Sequence, residues 1–133
     1  MSAKPTVLVT GGTGFLGSHI ISQLLAQDTY TIRAVARSAN KLRAIFPDAG
    51  EDKLQVVEIP TLTSDFSDAL KGVKAVVHSA SPVYLKGESG QEIFEVRAYQ
   101  GTIHIVEQAI AAGVKKIVTT GTVASLYDGK SSV

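Results

Sequence analysis

Val7-Leu8-Val9-Thr10-Gly11-Gly12-Thr13-Gly14-Phe15-Leu16-Gly17 is the stretch whose reading decides the fold of this chain. The unbroken apolar run Val7-Leu8-Val9 has the pattern of a parallel strand buried on both faces, which places a first strand over residues 4–10. Gly11, Gly14 and Gly17 follow at three-residue spacing. From Phe15 to Gln27 apolar pairs recur at helical intervals, as Phe15/Leu16, Ile20/Ile21 and Leu24/Leu25. A strand end, a tight turn and a helix N-terminus in direct succession make an anion site. Backbone N–H groups point outward there, and the helix dipole adds about half a positive charge. A glycine without Cβ lets a pyrophosphate come close to the backbone. The stretch therefore predicts a dinucleotide-binding turn.

Working outward, residues 30–36 read as a second apolar strand and complete a βαβ unit. Ser38 is placed as the N-cap of a short helix through Leu42 and Ile45 to Phe46, and Pro47-Asp48-Ala49-Gly50 signals a turn. Residues 54–59 read as a third strand. A short helix is expected from Thr63, Ser64 and Asp65, with Phe66, Ala69 and Leu70 inward and Gly72 stopping it. Residues 74–78 form a fourth strand around Ala75-Val76-Val77, and 82–90 a loop. A longer helix is expected over residues 91–112, with Ile93, Val96, Ile103, Val106 and Ile110 on its buried side and Gly113 closing it. Residues 116–120 are the fifth strand. This alternation predicts an α/β fold, a doubly wound parallel sheet in strand order 3-2-1-4-5. Its ligand crevice would lie across the ends of strands 1 and 4, where the order reverses.

Composition narrows the rest. The 133 residues suffice for one domain, and 44% of them are apolar. A net charge of +1 argues against a nucleic-acid surface. With no cysteine there is no disulfide and no thiolate metal site, and His19, His78 and His104 lack metal-ligand spacing. His19 and His104 are expected at the surface or its boundary, and His78 as a hydrogen-bonded core residue. No apolar run is long enough to span a membrane, and Met1-Ser2-Ala3-Lys4 carries no signal-peptide pattern, so a cytoplasmic protein is expected.

The second strand indicates which nucleotide is bound. An acid near its end, about 20 residues past the glycines, would hold a ribose 2′-hydroxyl and mark NAD. Residues 31–38 contain no Asp or Glu; Arg37 stands in that place and Lys41 follows. Cationic partners, and the planar fork of Arg above all, suit a 2′-phosphate, so NADP(H) is expected as cofactor.

Thr10-Gly11-Gly12-Thr13-Gly14-Phe15-Leu16-Gly17 resembles the extended branch of the short-chain dehydrogenase/reductase superfamily. His78-Ser79-Ala80-Ser81-Pro82, Gly101-Thr102 and residues 112–118 are similar to segments of its dihydroflavonol reductases, cinnamoyl-CoA reductases and fungal carbonyl reductases. The resemblance implies a Rossmann domain followed by a small C-terminal substrate region, and NADPH-dependent reduction of a ketone or aldehyde. It implies that Gly11 makes the turn, that Gly12, Thr13, Gly14, Phe15 and Leu16 wrap the pyrophosphate, and that Gly17 lets the helix pack on the strand. Ala80 and Ser81 would line the nicotinamide side, or else simply form a tight strand-end turn. Leu62 would pack near the adenine, with Thr61 where the family often has Asp, and Thr120 would join the cofactor contacts.

Catalysis in this class needs a hydroxyl that orients the carbonyl, a Tyr that protonates the developing alkoxide and a Lys that lowers the Tyr pKa. In Thr119-Thr120-Gly121-Thr122-Val123, Thr122 takes the catalytic serine position by resemblance; the alternative is that these threonines are β-branched strand residues. Tyr127-Asp128-Gly129-Lys130 has Lys three residues after Tyr, with a Gly between, and reads as a loop. The expectation is the cofactor-binding part of a reductase, inactive by itself, with a small-molecule carbonyl substrate and self-association through an exposed strand-5 edge. The alternatives are a non-catalytic NADPH-binding module or redox sensor and, more distantly, a nucleotide-sugar epimerase or dehydratase.

Overall fold

Alternation along the first strand sorts the core into two halves. In the computed structural model, which describes residues 3–80 and 98–121, β1 (Thr6–Thr10) sends Val7 and Val9 to one face of the sheet and Leu8 to the other. All three are buried, as a central strand of a covered parallel sheet requires. The face of Val7 and Val9 is covered by α1 (Phe15–Gln27) through Ile21 and by α2 (Ala39–Ile45) through Leu42. The face of Leu8 is covered by α3 (Gln100–Ala111) through Ile105 and Ala109, together with Phe66, Ala69 and Leu70.

The sheet has the order β3-β2-β1-β4-β5, with β2 (Thr31–Ala36), β3 (Leu54–Glu58), β4 (Val73–His78) and β5 (Lys116–Thr119) all paired in parallel. This is the doubly wound arrangement expected from the alternation of strands and helices. Thr10 stands opposite His78 in the β1–β4 register, so the first glycine turn and the β4 exit leave the sheet side by side. In the same way Glu58 stands opposite Ala36 in the β2–β3 register, at the β2 exit.

α1 ends at Asp28, which adopts left-handed backbone at φ 52° and donates its N–H to the carbonyls of Leu24 and Leu25. Its carboxylate accepts from Lys4 Nζ at 2.7 Å and pairs with Lys53 at 3.3 Å, and these two cations hold it below the usual carboxylate range.

Two expectations are corrected. Residues 63–72 do not form a helix. One helical turn closes, from Leu70 N–H to the Phe66 carbonyl at 2.9 Å, and the Ala69 and Lys71 carbonyls, which a helix ending here would leave unpaired, accept from Arg33 Nη1 at 2.6 and 2.8 Å. Gly72 at φ 74° then ends the segment before a second turn can add bonds. The second correction concerns α3. Gly101, Ile105 and Ala109 are buried, whereas Ile103 is 42% and Ile110 65% exposed and Val106 is half-buried. Small residues on either side of Ile105 let the helix approach closely, so the large apolar residues are displaced to the outer side. Ile93 and Val96 lie outside the described residues.

Candidate dinucleotide site

The β1–α1 turn is built from backbone contact. Gly11 adopts φ 73°, a left-handed conformation that a side chain disfavours. A Cβ there would stand 2.7 Å from Ala80 N and 2.8 Å from the Ser79 carbonyl carbon, so the turn and the β4 exit touch through their main chains. Gly17 is tighter still: its Cβ would collide with the Gly11 carbonyl oxygen and stand 2.6 Å from that carbonyl's carbon. Between them, Gly14 N–H closes the turn on the Gly11 carbonyl at 3.0 Å.

α1 begins without a cap. Gly14 is its N-cap residue, no side chain accepts a bond from the first turn, and the first turn contains no acid. The opening N–H groups of a helix have no partner within it, so here they are left to an external acceptor. Phe15 is 85% exposed and Leu16 is also exposed, so their side chains leave the backbone open; Thr13 and Gly14 are exposed as well. An exposed turn held tight by Gly11 and Gly17, with uncapped N–H groups behind it, fits the pyrophosphate of a dinucleotide.

The β2 exit differs. Arg37 and Lys41 are both exposed, and among the described residues neither forms an ion pair. Ser38 caps α2, its Oγ accepting from Lys41 N–H at 3.4 Å. Glu58 supplies a second cap, Oε2 accepting from Ala39 N–H at 3.0 Å. Sequence reasoning missed this carboxylate, because it comes from β3. Counting parallel register from the strand ends would have placed it there.

The β4 exit is fixed by hydrogen bonds to Thr10. Its Oγ1 is 2.8 Å from His78 Nδ1 and accepts from Ser79 N–H and Ala80 N–H at 3.2 Å each, while Ser79 Oγ donates to the Thr10 carbonyl at 2.9 Å. His78 is 4% exposed, the hydrogen-bonded core residue expected, and burial lowers its pKa. Its Nε2 lies 3.3 Å from Thr102 Oγ1 on α3, and its carbonyl accepts from Thr120 N–H at 3.1 Å. Thr120 thus stands beside the β4 exit. Leu62 is half-buried, turned against Gly101 of α3, where a Cβ would come within 2.9 Å of its own Cβ. The Thr61 hydroxyl is shared with Ser64 at 2.8 Å and Thr63 at 3.3 Å.

Of the other histidines, exposed His19 meets the Phe15 ring edge-on at 4.9 Å between centroids. Half-buried His104 places Nε2 2.6 Å from the Ser64 carbonyl. Ser81, Thr122, Tyr127 and Lys130 lie outside the described residues. Among the described residues no helix is long and apolar enough to cross a membrane, and no three potential ligands cluster for a metal.

Comparisons with known proteins point the same way. The model of a family described as NAD(P)H-binding matches residues 11–132. Aldehyde reductase 2 of Sporidiobolus salmonicolor is 33% identical over 96% of this chain and 38% of its own length. Fatty acid hydroxylase uhd1 of Mycosarcoma maydis is 35% identical over 99% of this chain and 44% of its own. The yeast methylglyoxal/isovaleraldehyde reductase Gre2, solved with NADPH, superposes with a TM-score of 0.81 at 26% identity, over 93% of this chain and 39% of that one. The chain therefore spans about two-fifths of the length of the relatives it matches. With a glycine turn that only an unbranched backbone fills and a family match over nearly its whole length, the chain belongs to the NAD(P)H-binding family, within the extended short-chain dehydrogenases/reductases.

Proposed function

We propose that this chain is the cofactor-binding part of an NADPH-dependent reductase acting on a ketone or aldehyde. The observation that carries the reading is the uncapped start of α1, which faces solvent just beyond the Gly11 turn. The N–H groups of Thr13, Phe15 and Leu16 would hold the pyrophosphate, with Gly14 shaping the turn beneath it through its bond to the Gly11 carbonyl. Arg37 and Lys41 would hold the 2′-phosphate, since two of the first α2 N–H groups, those of Ala39 and Lys41, are already taken by Glu58 and Ser38. Ala80 and Ser81 would face the nicotinamide, with Thr120 next to them, and Leu62 would border the adenine. Bound NADPH supplies a hydride from the nicotinamide ring. Thr122 would orient the carbonyl oxygen by donating its hydroxyl proton in a hydrogen bond. No Tyr in this sequence is followed four residues later by Lys, so the proton donor usual in the class is not among these residues.

A parallel titration with NADPH and NADH tests the reading. NADPH is expected to bind at least tenfold tighter, the return on one charge-assisted pair. Equal affinities would remove the NADP assignment, and no binding of either would remove the site. The proposal includes self-association through β5, a sheet edge among the described residues, which sedimentation over a range of concentrations would reveal.

A further inference from the structure

Thr10 Oγ1 has a full set of neighbours. A hydroxyl offers two lone pairs and one proton. The Ser79 and Ala80 N–H groups, each 3.2 Å away, can only donate, so they occupy both lone pairs. The hydroxyl proton is then directed at His78 Nδ1, 2.8 Å away, and that nitrogen must be bare. In the neutral ring the proton sits on Nε2, which faces Thr102 Oγ1 at 3.3 Å. A proton on Nδ1 would set three donors against one oxygen, and a backbone N–H of the β4 exit would lose its acceptor.

We propose that His78, as the neutral Nε2–H tautomer, is a positioning residue that fixes the separation of the two strand ends forming the dinucleotide crevice. The inference rests on reading that crevice as the NADPH site. Through its ring and main chain His78 is joined to β1 at Thr10, to α3 at Thr102 and to the end of β5 at Thr120. The Ala80 main chain that it steadies through Thr10 is the group against which Gly11 packs. A shift of the β4 exit would therefore open or close the cradle. Nothing charged is needed: the hydrogen-bond partners of this ring among the described residues are hydroxyls.

Two measurements test it. The first is the 15N NMR spectrum of the unsubstituted chain labelled at histidine, near neutral pH. The His78 signals should show a bare Nδ1 and a protonated Nε2, and a protonated Nδ1 would overturn the proposal. The second is NADPH affinity, read from nicotinamide fluorescence, in His78→Asn and His78→Gln. The amide oxygen of Asn falls close to the place of Nδ1 and can still accept from Thr10, whereas Gln reaches the place of Nε2. His78→Asn should bind within about threefold of the unsubstituted chain, and His78→Gln about tenfold more weakly, the cost of a buried polar group left without its partner. Unchanged affinity in both variants, or the reverse order, would overturn the positioning role. Failure of the unsubstituted chain to bind NADPH would overturn the crevice reading, and the positioning role with it.

Discussion

The two strand-to-helix turns on one side of the sheet are built to opposite plans. After β1, the chain turns through Gly11 and enters α1 with no capping side chain and no acid in the first turn. After β2, it enters α2 with two caps, Ser38 Oγ on Lys41 N–H and Glu58 Oε2 on Ala39 N–H. An uncapped helix start leaves donors for a ligand, and a capped one has already used them. So the first turn can recognise a phosphate through main chain alone, while the second, with its Ala39 and Lys41 N–H groups taken, offers chiefly the long exposed side chains of Arg37 and Lys41. Main-chain recognition is geometric and intolerant of added atoms; side-chain recognition tolerates substitution and sets preference.

The largest expected effect breaks the first plan. Gly17→Ala puts a methyl group onto the Gly11 carbonyl oxygen, and the helix must move to relieve it. Destabilisation of about 3 kcal/mol is expected, at the upper end for overpacking, together with loss of measurable NADPH binding. Urea unfolding and a fluorescence titration check both. A variant that unfolds and binds as the original does would show that the turn is looser than its contacts imply.

The second plan should fail differently. Arg37→Asp removes a cation and installs the acid that a ribose 2′-hydroxyl prefers. The NADPH-to-NADH affinity ratio should fall by about a hundredfold, as the loss of charge-assisted bonds predicts, with the unfolding midpoint in urea unchanged. A fall in stability of the size expected for Gly17→Ala would erase the distinction between the two turns.

A gentler effect comes from His78, which belongs to the main-chain plan. Its pKa is lowered by burial, so the unfolded chain takes up the proton first as pH falls. Its stabilising contribution is complete above the ordinary histidine value of 6.5 and declines as pH drops from there through the lowered folded value. Stability measured by urea unfolding from pH 7.5 downward should therefore begin to decline near 6.5, and His78→Asn should remove that first part of the slope. Asp28 and Asp65, whose pKa values are lowered by hydrogen bonds from Lys4 and from Ser67, act in a lower window, below 3.8. The two contributions separate on the pH axis.

The same contrast explains what the sequence made legible. Gly11 and Gly17 reveal the first turn because backbone contact leaves no room for a Cβ there, and the strand order follows from apolar runs that alternate with helices. Where contact depends on small residues inside a helix, the pattern misleads. On α3 the buried side is Gly101, Ile105 and Ala109, and the eye is drawn instead to Ile103 and Ile110, which are exposed. The expected short helix before Gly72 shrinks to a single turn, and the carbonyls at its end are taken by Arg33, a partner more than 30 residues away in sequence. Long-range hydrogen bonds leave no local periodicity, and the Thr10–His78 link, 68 residues apart, was invisible for that reason too.

Glu58 is another such hidden partner, and its removal is expected to give the smallest effect. It stands opposite Ala36 at the β2 exit, one residue before Arg37. A carboxylate at this exit would oppose a 2′-phosphate held by Arg37 and Lys41, while its hydrogen bond to Ala39 N–H serves the helix. Glu58→Gln separates the two roles, because the amide oxygen still accepts from Ala39 but carries no charge. NADPH should bind about two- to threefold tighter, NADH about as before, and stability should stay within about 0.5 kcal/mol, since the group is exposed and its field is screened by salt. The gain should shrink as ionic strength rises. A gain shared equally by NADH would mean that the carboxylate acts on the common part of the dinucleotide, and so on the main-chain turn, rather than on the phosphate that distinguishes the two cofactors.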